Sequence, residues 1–172
     1  QMVSSSIWDL ARSVQSLEML PGFTRELEPL RRDLASAQNV APGDWSALTP
    51  DIAPGGWSLG HTMDYRYPDT DTTAQVALTL LHSSDRSRYQ LAIARAVRWV
   101  QGMRNPDGGF PVWDRVASDW LPVVFEKYFH SPFRLSDPSQ VDVSSRILKV
   151  LNEFSHDPMF KDLVRRQDLD KT

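Results

Sequence analysis

The sequence predicts an all-α fold, and three observations support that prediction. Apolar residues recur at helical spacing in several segments, the first of which covers residues 7–20. No convincing series of alternating polar and apolar residues, the pattern of half-buried strands, can be found. The periodic segments are joined in pairs by short turns and separated by two long aromatic loops, so three helical hairpins are expected.

The first hairpin is predicted over residues 7 to about 38. One face of its first helix carries the apolar side chains, at Ile7, Leu10, Val14, Leu17 and Leu20. Pro21 and Gly22 end that helix. A second helix is expected from Thr24 to near Gln38, with Pro29 in its early part.

The later helices are predicted from the same signals. They are expected at 72–81, 87–103, 139–154 and 157–167. The second of these follows a turn at 82–85 and has an apolar face opposite a face rich in arginine. A turn at 105–109, Asn-Pro-Asp-Gly-Gly, ends it.

Two aromatic stretches separate the hairpins. The stretch 39–69 combines six Pro and Gly residues between 42 and 56 with Trp45, Trp57, Tyr65 and Tyr67. The stretch 110–133 contains Trp113, Trp120, Phe125, Tyr128 and Phe129. Loops of this length in a compact domain are usually functional or mark a boundary, and the aromatic content favours function.

Composition excludes several classes of function. The chain has 172 residues, enough for one domain with a core, and a net charge of -3 without a basic run, which argues against nucleic acid as a partner. It has no cysteine, which excludes disulfides, thiolate catalysis and cysteine-ligated zinc. No transmembrane segment or signal peptide is visible, so we expect a cytoplasmic protein, with peripheral membrane association left open.

The stretch 67–74, Tyr-Pro-Asp-Thr-Asp-Thr-Thr-Ala, is the candidate reactive site. Asp69 precedes an apolar helical run and can cap its N-terminus, while the donors of the first turn point at Asp71. An acid in such a corner suits protonation of an alkene, because Asp69 disfavours its ionised form and the donors stabilise the carboxylate left behind. A plain helix cap and a Mg²⁺ or Ca²⁺ ligand pair remain alternatives.

Four motifs, in this order, resemble the squalene-hopene cyclase family of class II terpene cyclases. They are Gln-Asn-Val-Ala-Pro-Gly-Asp-Trp at 38–45, Pro-Gly-Gly-Trp at 54–57, the acid stretch at 67–74, and Trp-Val at 99–100 leading to Asp-Gly-Gly-Phe at 107–110. The resemblance runs from Ile7 to Gln167. It implies an α/α toroid, a barrel of helical hairpins of the terpene cyclase and prenyltransferase type, with residues 1–172 forming a partial segment of the catalytic toroid domain.

The repeated Gln-to-Trp motif of that family is present in unequal copies. Residues 38–45 match it well, whereas Arg104 and Phe110 stand where the second copy would have Gln and Trp. Residues 167–172 resemble a third copy cut before its Gly and Trp. The chain also begins on Gln1 and ends within a pattern, so we expect it to be a piece of a longer cyclase chain, whose remainder is its partner.

The same resemblance implies roles for the acid stretch. Asp71 corresponds to the general acid and Asp69 to a supporting carboxylate, while Thr72 replaces the family's last Asp. The resulting Asp-x-Asp-Thr-Thr form resembles the variant of bacterial drimenyl diphosphate synthases, which cyclise farnesyl diphosphate and retain the diphosphate. Thr72 is therefore included with the two acids among the catalytic candidates.

Five further residues are substrate-binding candidates by this resemblance: Trp8, Trp57, Trp113, Asp142 and Arg146. Aromatic rings in the family's cavity stabilise carbocations, and packing stays open as the alternative for Trp8 and Trp113. Arg146 stands where the family has a His that hydrogen-bonds the acid. A cation there favours ionised Asp71 unless Asp69 or Asp142 takes the pairing, and an exposed helix face is the other interpretation.

The sequence thus predicts cyclisation of a linear isoprenoid by protonation, first of farnesyl diphosphate to a drimane-type bicycle with the diphosphate retained. The alternatives are a squalene-hopene-type triterpene cyclase and a non-catalytic toroid domain of a larger terpene synthase. Prenyltransferase β-subunits share the fold but bind zinc through a Cys, which this chain lacks. We expect no cofactor for the chemistry, and Mg²⁺ only with a diphosphate substrate.

Overall fold

The computed structural model describes residues 6–23, 25–47, 49–60, 67–115 and 137–164. Its α-helices are α1 (Ser6–Glu18), α2 (Leu27–Ser36), α3 (Thr70–Leu81), α4 (Gln90–Gly102) and α5 (Val141–His156), with 3-10 turns at Asp44–Ala47 and Arg86–Tyr89. The chain is helical again at 161–164. The predictions for the third Gln-to-Trp copy and for Tyr65, Trp120, Phe125, Tyr128 and Phe129 lie outside the described residues.

Helix α3 is the centre of the described structure. All of its residues are buried, and it packs against α1, α2, α4 and α5. A helix covered on every side needs no charged face, which agrees with its sequence of Thr, Ala, Gln, Val and Leu after Asp71. The predicted all-α fold class is confirmed, and the site at the start of α3 rests on the best-packed element.

The first hairpin forms with shorter helices than the sequence predicts. Helix α1 ends at Glu18, and the turn that follows contains Gly22 at φ +99°, in the left-handed region that favours glycine. Helix α2 begins only at Leu27, so Pro29 falls in its first turn, where a missing N–H costs no helical hydrogen bond.

The loop before α3 is held to the helices by Gln38 of the first Gln-to-Trp motif. Its Nε2 donates to the carbonyl oxygen of Gly55 at 2.8 Å and to that of Ala92, in α4, at 2.9 Å. The backbone N–H of Asn39 donates to the Gly56 carbonyl at 2.9 Å. These three hydrogen bonds join residues 38 and 39 to residues 55 and 56 and to α4, so the two described parts of the loop are held together at these points.

A short strand pair corrects the expectation of a chain without strands. Trp57–Ser58 pairs antiparallel with Pro68–Asp69, and Trp57 lies opposite Asp69 in the register. Two-residue strands are too short to show alternation, so the sequence pattern cannot reveal them. The pair places Asp69 at the point where the chain turns into α3.

The described helices include none with the length and apolar character needed to cross a membrane. Within the described ranges, no three His, Asp or Glu side chains are grouped as a metal site requires. Of the histidines, His82 and His156 are described and lie at the C-terminal ends of α3 and α5.

Candidate active site

The acid stretch folds into a capped helix start. Asp69 is extended (φ -120°, ψ 154°), and its Oδ1 accepts a hydrogen bond from the Thr72 N–H at 2.7 Å. Thr73 Oγ1 donates to the Asp69 carbonyl at 2.6 Å and accepts from the Trp57 N–H at 2.8 Å. The predicted cap at Asp69 is confirmed, whereas the first-turn donors Thr72 and Thr73 bind Asp69 and not Asp71 as expected. Helix α3 therefore begins at Thr70, two residues earlier than expected, and Asp71 lies in its first turn.

Asp69 is a buried carboxyl group that favours its neutral form. The residue is only 3% exposed, and its Oδ2 accepts no hydrogen bond of normal geometry from the described residues. Burial raises the pKa of Asp69 to about 7; the Thr72 amide and hydroxyl act in the opposite direction, and the charge of Asp71 raises the pKa further. Near neutral pH both protonation states of this carboxyl group are therefore populated.

Asp71 lies in a different environment because it is paired with Arg146. The Arg146 Nε lies 3.1 Å from Asp71 Oδ1 and 3.0 Å from Oδ2, and Nη2 lies 3.0 Å from Oδ2. The side chain of Asp71 is 13% exposed and that of Arg146 is 41% exposed. The hydrogen bond and charge of Asp71 raise the pKa of Arg146. Arg146 is thus part of the site and not only an exposed helix residue.

Asp142 shares the same guanidinium group. Arg146 Nη2 donates to Asp142 Oδ2 at 3.2 Å, and the two residues are one helical turn apart on α5. The side chain of Asp142 is 66% exposed, so this second pairing is the weaker one. The structure therefore brings four predicted site residues together, since α3 contributes Asp71 with its neighbour Asp69 and α5 contributes Asp142 and Arg146.

The segment 110–115 closes the other side of the helix start. The Thr70 N–H donates to the Val112 carbonyl at 2.8 Å, and Thr70 Oγ1 donates to the Pro111 carbonyl. The Tyr67 hydroxyl donates to Asp114 Oδ1. These contacts could not be predicted from the sequence. The only related signal is that a polar residue, Thr70, separates the two acids of the motif.

The three tryptophan candidates have different surroundings. Trp8 is partly buried, and the Arg12 guanidinium carbon lies 5.9 Å from its ring centroid. Trp113 is 50% exposed and directly follows Val112, which binds Thr70. Both rings keep surface that a substrate could contact.

Trp57 is corrected from a substrate-binding candidate to a packing residue. Its side chain has no exposed surface, and its Nε1 donates to the Leu34 carbonyl of α2 at 2.7 Å. A buried indole normally has such a partner for its N–H. Its backbone N–H donates to Thr73 Oγ1, so Trp57 helps to hold the first turn of α3 in place.

Thr72, the third catalytic candidate, is also fully buried. It holds Asp69 through its backbone N–H, and its hydroxyl makes no hydrogen bond of normal geometry with the described residues. The observed contribution of Thr72 is therefore to the cap of α3. Its hydroxyl lies beside the carboxyl group whose pKa is raised.

Comparisons with known proteins agree with this architecture. The family model described as the squalene-hopene cyclase C-terminal domain matches residues 4–169. The chain is 32% identical over 170 residues to a squalene-hopene cyclase of Alicyclobacillus acidocaldarius, which covers 94% of this chain and 26% of the relative. It is 36% identical over 160 residues to one of Bradyrhizobium diazoefficiens, covering 86% of this chain and 23% of the relative.

Enfumafungin synthase of Hormonema carpetanum is a further relative, 30% identical over 154 residues, with 88% of this chain and 11% of the relative covered. The chain spans about a quarter of the length of the squalene-hopene cyclases it matches. The match covers nearly all of the chain, including α1, the acid stretch and α5. The chain therefore belongs to the squalene-hopene cyclase C-terminal domain family.

Proposed function

We propose that the complete protein cyclises a linear isoprenoid by protonating a terminal double bond, with Asp71 as the general acid. The observation that carries the proposal is the position of Asp71. It lies in the first turn of a fully buried helix, retains exposed surface, and is bound by a cation that supports its carboxylate. Membership of a cyclase family agrees with this chemistry.

The proposed reaction begins when the O–H bond of Asp71 breaks and a C–H bond forms at the terminal alkene carbon. The remaining alkene carbon becomes cationic, and successive double bonds attack it to close the rings. Loss of a proton from carbon ends the sequence, and solvent returns a proton to Asp71. Because the alkene is a very weak base, the step depends on how well the Asp71 carboxylate is stabilised after transfer.

Arg146 has two opposite effects on the proposed proton transfer. Its charge stabilises the carboxylate that proton transfer leaves on Asp71, which strengthens the acid. The same charge disfavours the neutral resting acid. Asp142 competes for the same guanidinium group, since Arg146 Nη2 also lies 3.2 Å from Asp142 Oδ2. Arg146 is therefore shared between the proposed acid and a second carboxylate.

A squalene-type triterpene substrate is the better-supported choice. The sequence motif Asp-x-Asp-Thr-Thr alone favours farnesyl diphosphate. The curated relatives, however, are named squalene-hopene cyclases in several organisms, and this favours the triterpene alternative. A prenyl diphosphate remains the second candidate because Thr72 replaces the family's last Asp, and Mg²⁺ would then accompany the substrate.

The substrate class is tested by incubating the complete purified protein in D₂O with squalene, farnesyl diphosphate and geranylgeranyl diphosphate separately. We expect a cyclic product from squalene that carries solvent deuterium at the initiating carbon, detected by mass spectrometry. A deuterated bicycle that retains its diphosphate would instead select the second candidate. Absence of product from all three, with a folded protein, would favour the non-catalytic toroid domain.

The role of Asp71 is tested by Asp71→Asn in the complete protein. An amide cannot donate the initiating proton, so we expect product formation to fall by at least about 100-fold. The matched control is Asp33→Asn, on the exposed face of α2. Circular dichroism and thermal unfolding should show a folded protein in both variants. A normal product yield from Asp71→Asn would overturn the assignment.

A further inference from the structure

The segment 110–115 is clamped between the first turn of α3 and the start of α5. On the α3 side, Thr70 binds the carbonyl groups of Pro111 and Val112 through its hydroxyl and its N–H. On the α5 side, the Phe110 N–H donates to Ser144 Oγ at 2.9 Å, and the Gln140 N–H donates to the Phe110 carbonyl at 3.1 Å. The segment therefore connects the element that carries Asp71 with the element that carries Arg146.

Two acidic side chains hold the middle of this segment. Asp114 Oδ1 accepts a hydrogen bond from the hydroxyl group of Tyr67, which lies two residues before Asp69 in the chain. Asp137 Oδ2 accepts the backbone N–H of Trp113 at 2.5 Å and that of Asp114 at 3.2 Å. Trp113 is thus fixed through its backbone from one side by Asp137 and, through its neighbour Asp114, from the other side by Tyr67.

These groups lie in surroundings that strengthen their hydrogen bonds. Burial raises the pKa of Tyr67, and its hydrogen bond to Asp114 raises the pKa further, so the hydroxyl keeps its proton. Asp114 is half-buried. Burial raises the pKa of Asp114 and the charge of Asp137 adds to this effect, while the Tyr67 hydroxyl lowers it. A hydrogen bond in a partly desolvated site is stronger than its exposed equivalent.

The far end of the segment is anchored independently. Arg115 Nη2 binds both carboxylate oxygens of Asp51 at 2.9 Å, and its Nη1 donates to the Gly102 carbonyl at 3.0 Å. Loss of the Tyr67 hydroxyl would therefore loosen the middle of the segment without releasing its ends. This makes Tyr67 suitable for substitution in a protein that still folds.

We infer that Tyr67, Asp114 and Asp137 are positioning residues that fix Trp113 relative to the first turn of α3, and so relative to Asp71. The inference rests on the proposed function. An aromatic ring stabilises a cation only when the charge lies over its face within about 6 Å. A displacement of about 1 Å at a reacting centre can cost roughly 100-fold in rate. The ring closures should accordingly depend on these three residues, none of which is assigned contact with the substrate.

The experiment compares Tyr67→Phe and Tyr89→Phe in the complete protein, with squalene as the probe. The two tyrosines are matched because the Tyr89 hydroxyl also donates to a carboxylate, Glu28 Oε1, and burial also raises its pKa, but it joins α2 to the start of α4. We expect Tyr67→Phe to lower kcat by roughly tenfold with a smaller change in KM, and to increase the share of incompletely cyclised products. Tyr89→Phe should leave the product distribution unchanged.

A second readout does not depend on activity. With 5-fluorotryptophan incorporated, the ¹⁹F resonance of Trp113 is identified by its loss in Trp113→Phe. We expect that resonance to shift or broaden in Tyr67→Phe and in Asp137→Asn, and to stay unchanged in Tyr89→Phe. If no isoprenoid is converted by the unaltered protein, the proposed function fails, and this resonance still decides whether Tyr67 positions Trp113.

An unchanged Trp113 resonance in Tyr67→Phe would overturn the inference. The same conclusion would follow if Tyr67→Phe and Tyr89→Phe lowered the melting temperature equally and neither changed the product distribution. In that case the Tyr67–Asp114 hydrogen bond would contribute to stability alone.

Discussion

Asp69 and Asp71 are separated by one residue and differ in what surrounds them. Asp69 is enclosed by the strand pair and the first turn of α3, so its neutral form is favoured. Asp71 points to the side where α5 supplies Arg146. Two like groups in unlike environments are a common arrangement in acid–base sites, since it separates the roles of the two groups.

The first prediction concerns the pH dependence of stability at Asp69. Its pKa is about 7 in the folded protein against 3.8 ordinarily, so the folded state holds a proton that the unfolded state has released between these values. The resulting contribution is fully present below about pH 4 and is lost as the pH rises through about 7. Asp69→Asn keeps a capping side chain but cannot ionise.

Denaturant unfolding at pH 5 and pH 8 measures this effect. Between these pH values, the free energy of unfolding of the unaltered protein should fall by up to roughly 3 kcal/mol more than that of Asp69→Asn. Asp33→Asn is the control, because Asp33 is exposed on α2. Identical pH profiles for the unaltered protein and Asp69→Asn would contradict a raised pKa at this position.

The second prediction concerns the cation at Arg146. Arg146→Gln should lower kcat by about tenfold or more, because the carboxylate formed on Asp71 loses its charged partner. Arg146→His should recover activity as the pH falls below about 6.5, where imidazole gains its charge. The measurement is kcat against pH for both variants, with Arg98→Gln on the exposed face of α4 as the control. Turnover by Arg146→Gln that is faster than that of the unaltered protein would instead show that the main effect of the Arg146 charge is to disfavour the neutral acid before proton transfer.

Much of the site at this scale could be predicted from sequence. The cap at Asp69 follows from a Pro-Asp pair before a helical run, and the spacing of Asp142 and Arg146 places them on one helix face. Whether that face contacts Asp71 depends on how α5 packs against α3. The local sequence pattern carries no information about this packing. The sequence suggests Trp57 as a substrate-binding residue for the same reason, since an aromatic residue in a loop motif does not reveal whether its ring is covered by the helices.

At the scale of elements, the first hairpin is joined to α3 by one buried cation. Arg31 of α2 has no exposed surface; its Nη2 lies 2.6 Å from Glu18 Oε1 of α1, and its Nε donates to the Thr79 carbonyl of α3 at 3.1 Å. Its Nη1 lies 3.7 Å from Glu28 Oε2. This buried charge therefore has partners on three helices, near the end of α1, in the first turn of α2 and in the last part of α3.

The third prediction follows from this contact. Arg31→Met keeps much of the side-chain volume but leaves Glu18 and Glu28 without their buried partner. We expect a loss of roughly 3 kcal/mol in the free energy of unfolding, the usual cost of breaking a buried pair. Arg32→Met, on the exposed side of the same helix, should change it by less than about 0.5 kcal/mol. Denaturant unfolding compares the two variants, and equal losses would contradict the structural role of Arg31.

Helix positions were predictable from periodicity, and their ends less so. The sequence predicts the start of α3 two residues too late, because the first turn is made of Thr and Asp, whose side chains usually indicate a loop or a cap. Here Asp69 and Thr73 bind the backbone of that turn and make it helical. The end of α1 was placed late because Met19 and Leu20 continue the apolar pattern while remaining exposed.

At the scale of the whole molecule, four of the described helices pack around α3, in an all-α arrangement that agrees with membership of the family. The chain accounts for about a quarter of the length of its squalene-hopene cyclase relatives. Several large apolar side chains are exposed in this segment, including Val141 at 85% and Leu148 at 47%. The family and the fold class were predictable because the motifs recur in order. The substrate class is less predictable, because the substituted position at Thr72 favours a prenyl diphosphate while the remaining motifs fit a squalene cyclase equally well.

The fourth prediction concerns the distribution of stability. Helix α3 is buried along its entire length, whereas α1 and α5 each keep an exposed face. In hydrogen–deuterium exchange of the complete protein, we expect the peptides of α3 to exchange most slowly among those of the five described α-helices. Faster exchange in α3 than in α1 would contradict its central position.

Close packing of Gly56 against Pro68, Thr73 and Trp99 restricts the substitutions that the acid stretch can tolerate. A methyl group added at Gly56 would lie 2.7 Å from Pro68 Cβ and 3.1 Å from both Thr73 Oγ1 and Trp99 Cδ2. Pro68 is the residue before Asp69, so any larger side chain at position 56 displaces the acid through its neighbour. In a deep mutational scan of the complete protein scored by product formation, we expect position 56 to rank with the proposed reactive residues, although glycine has no side chain to take part in the chemistry.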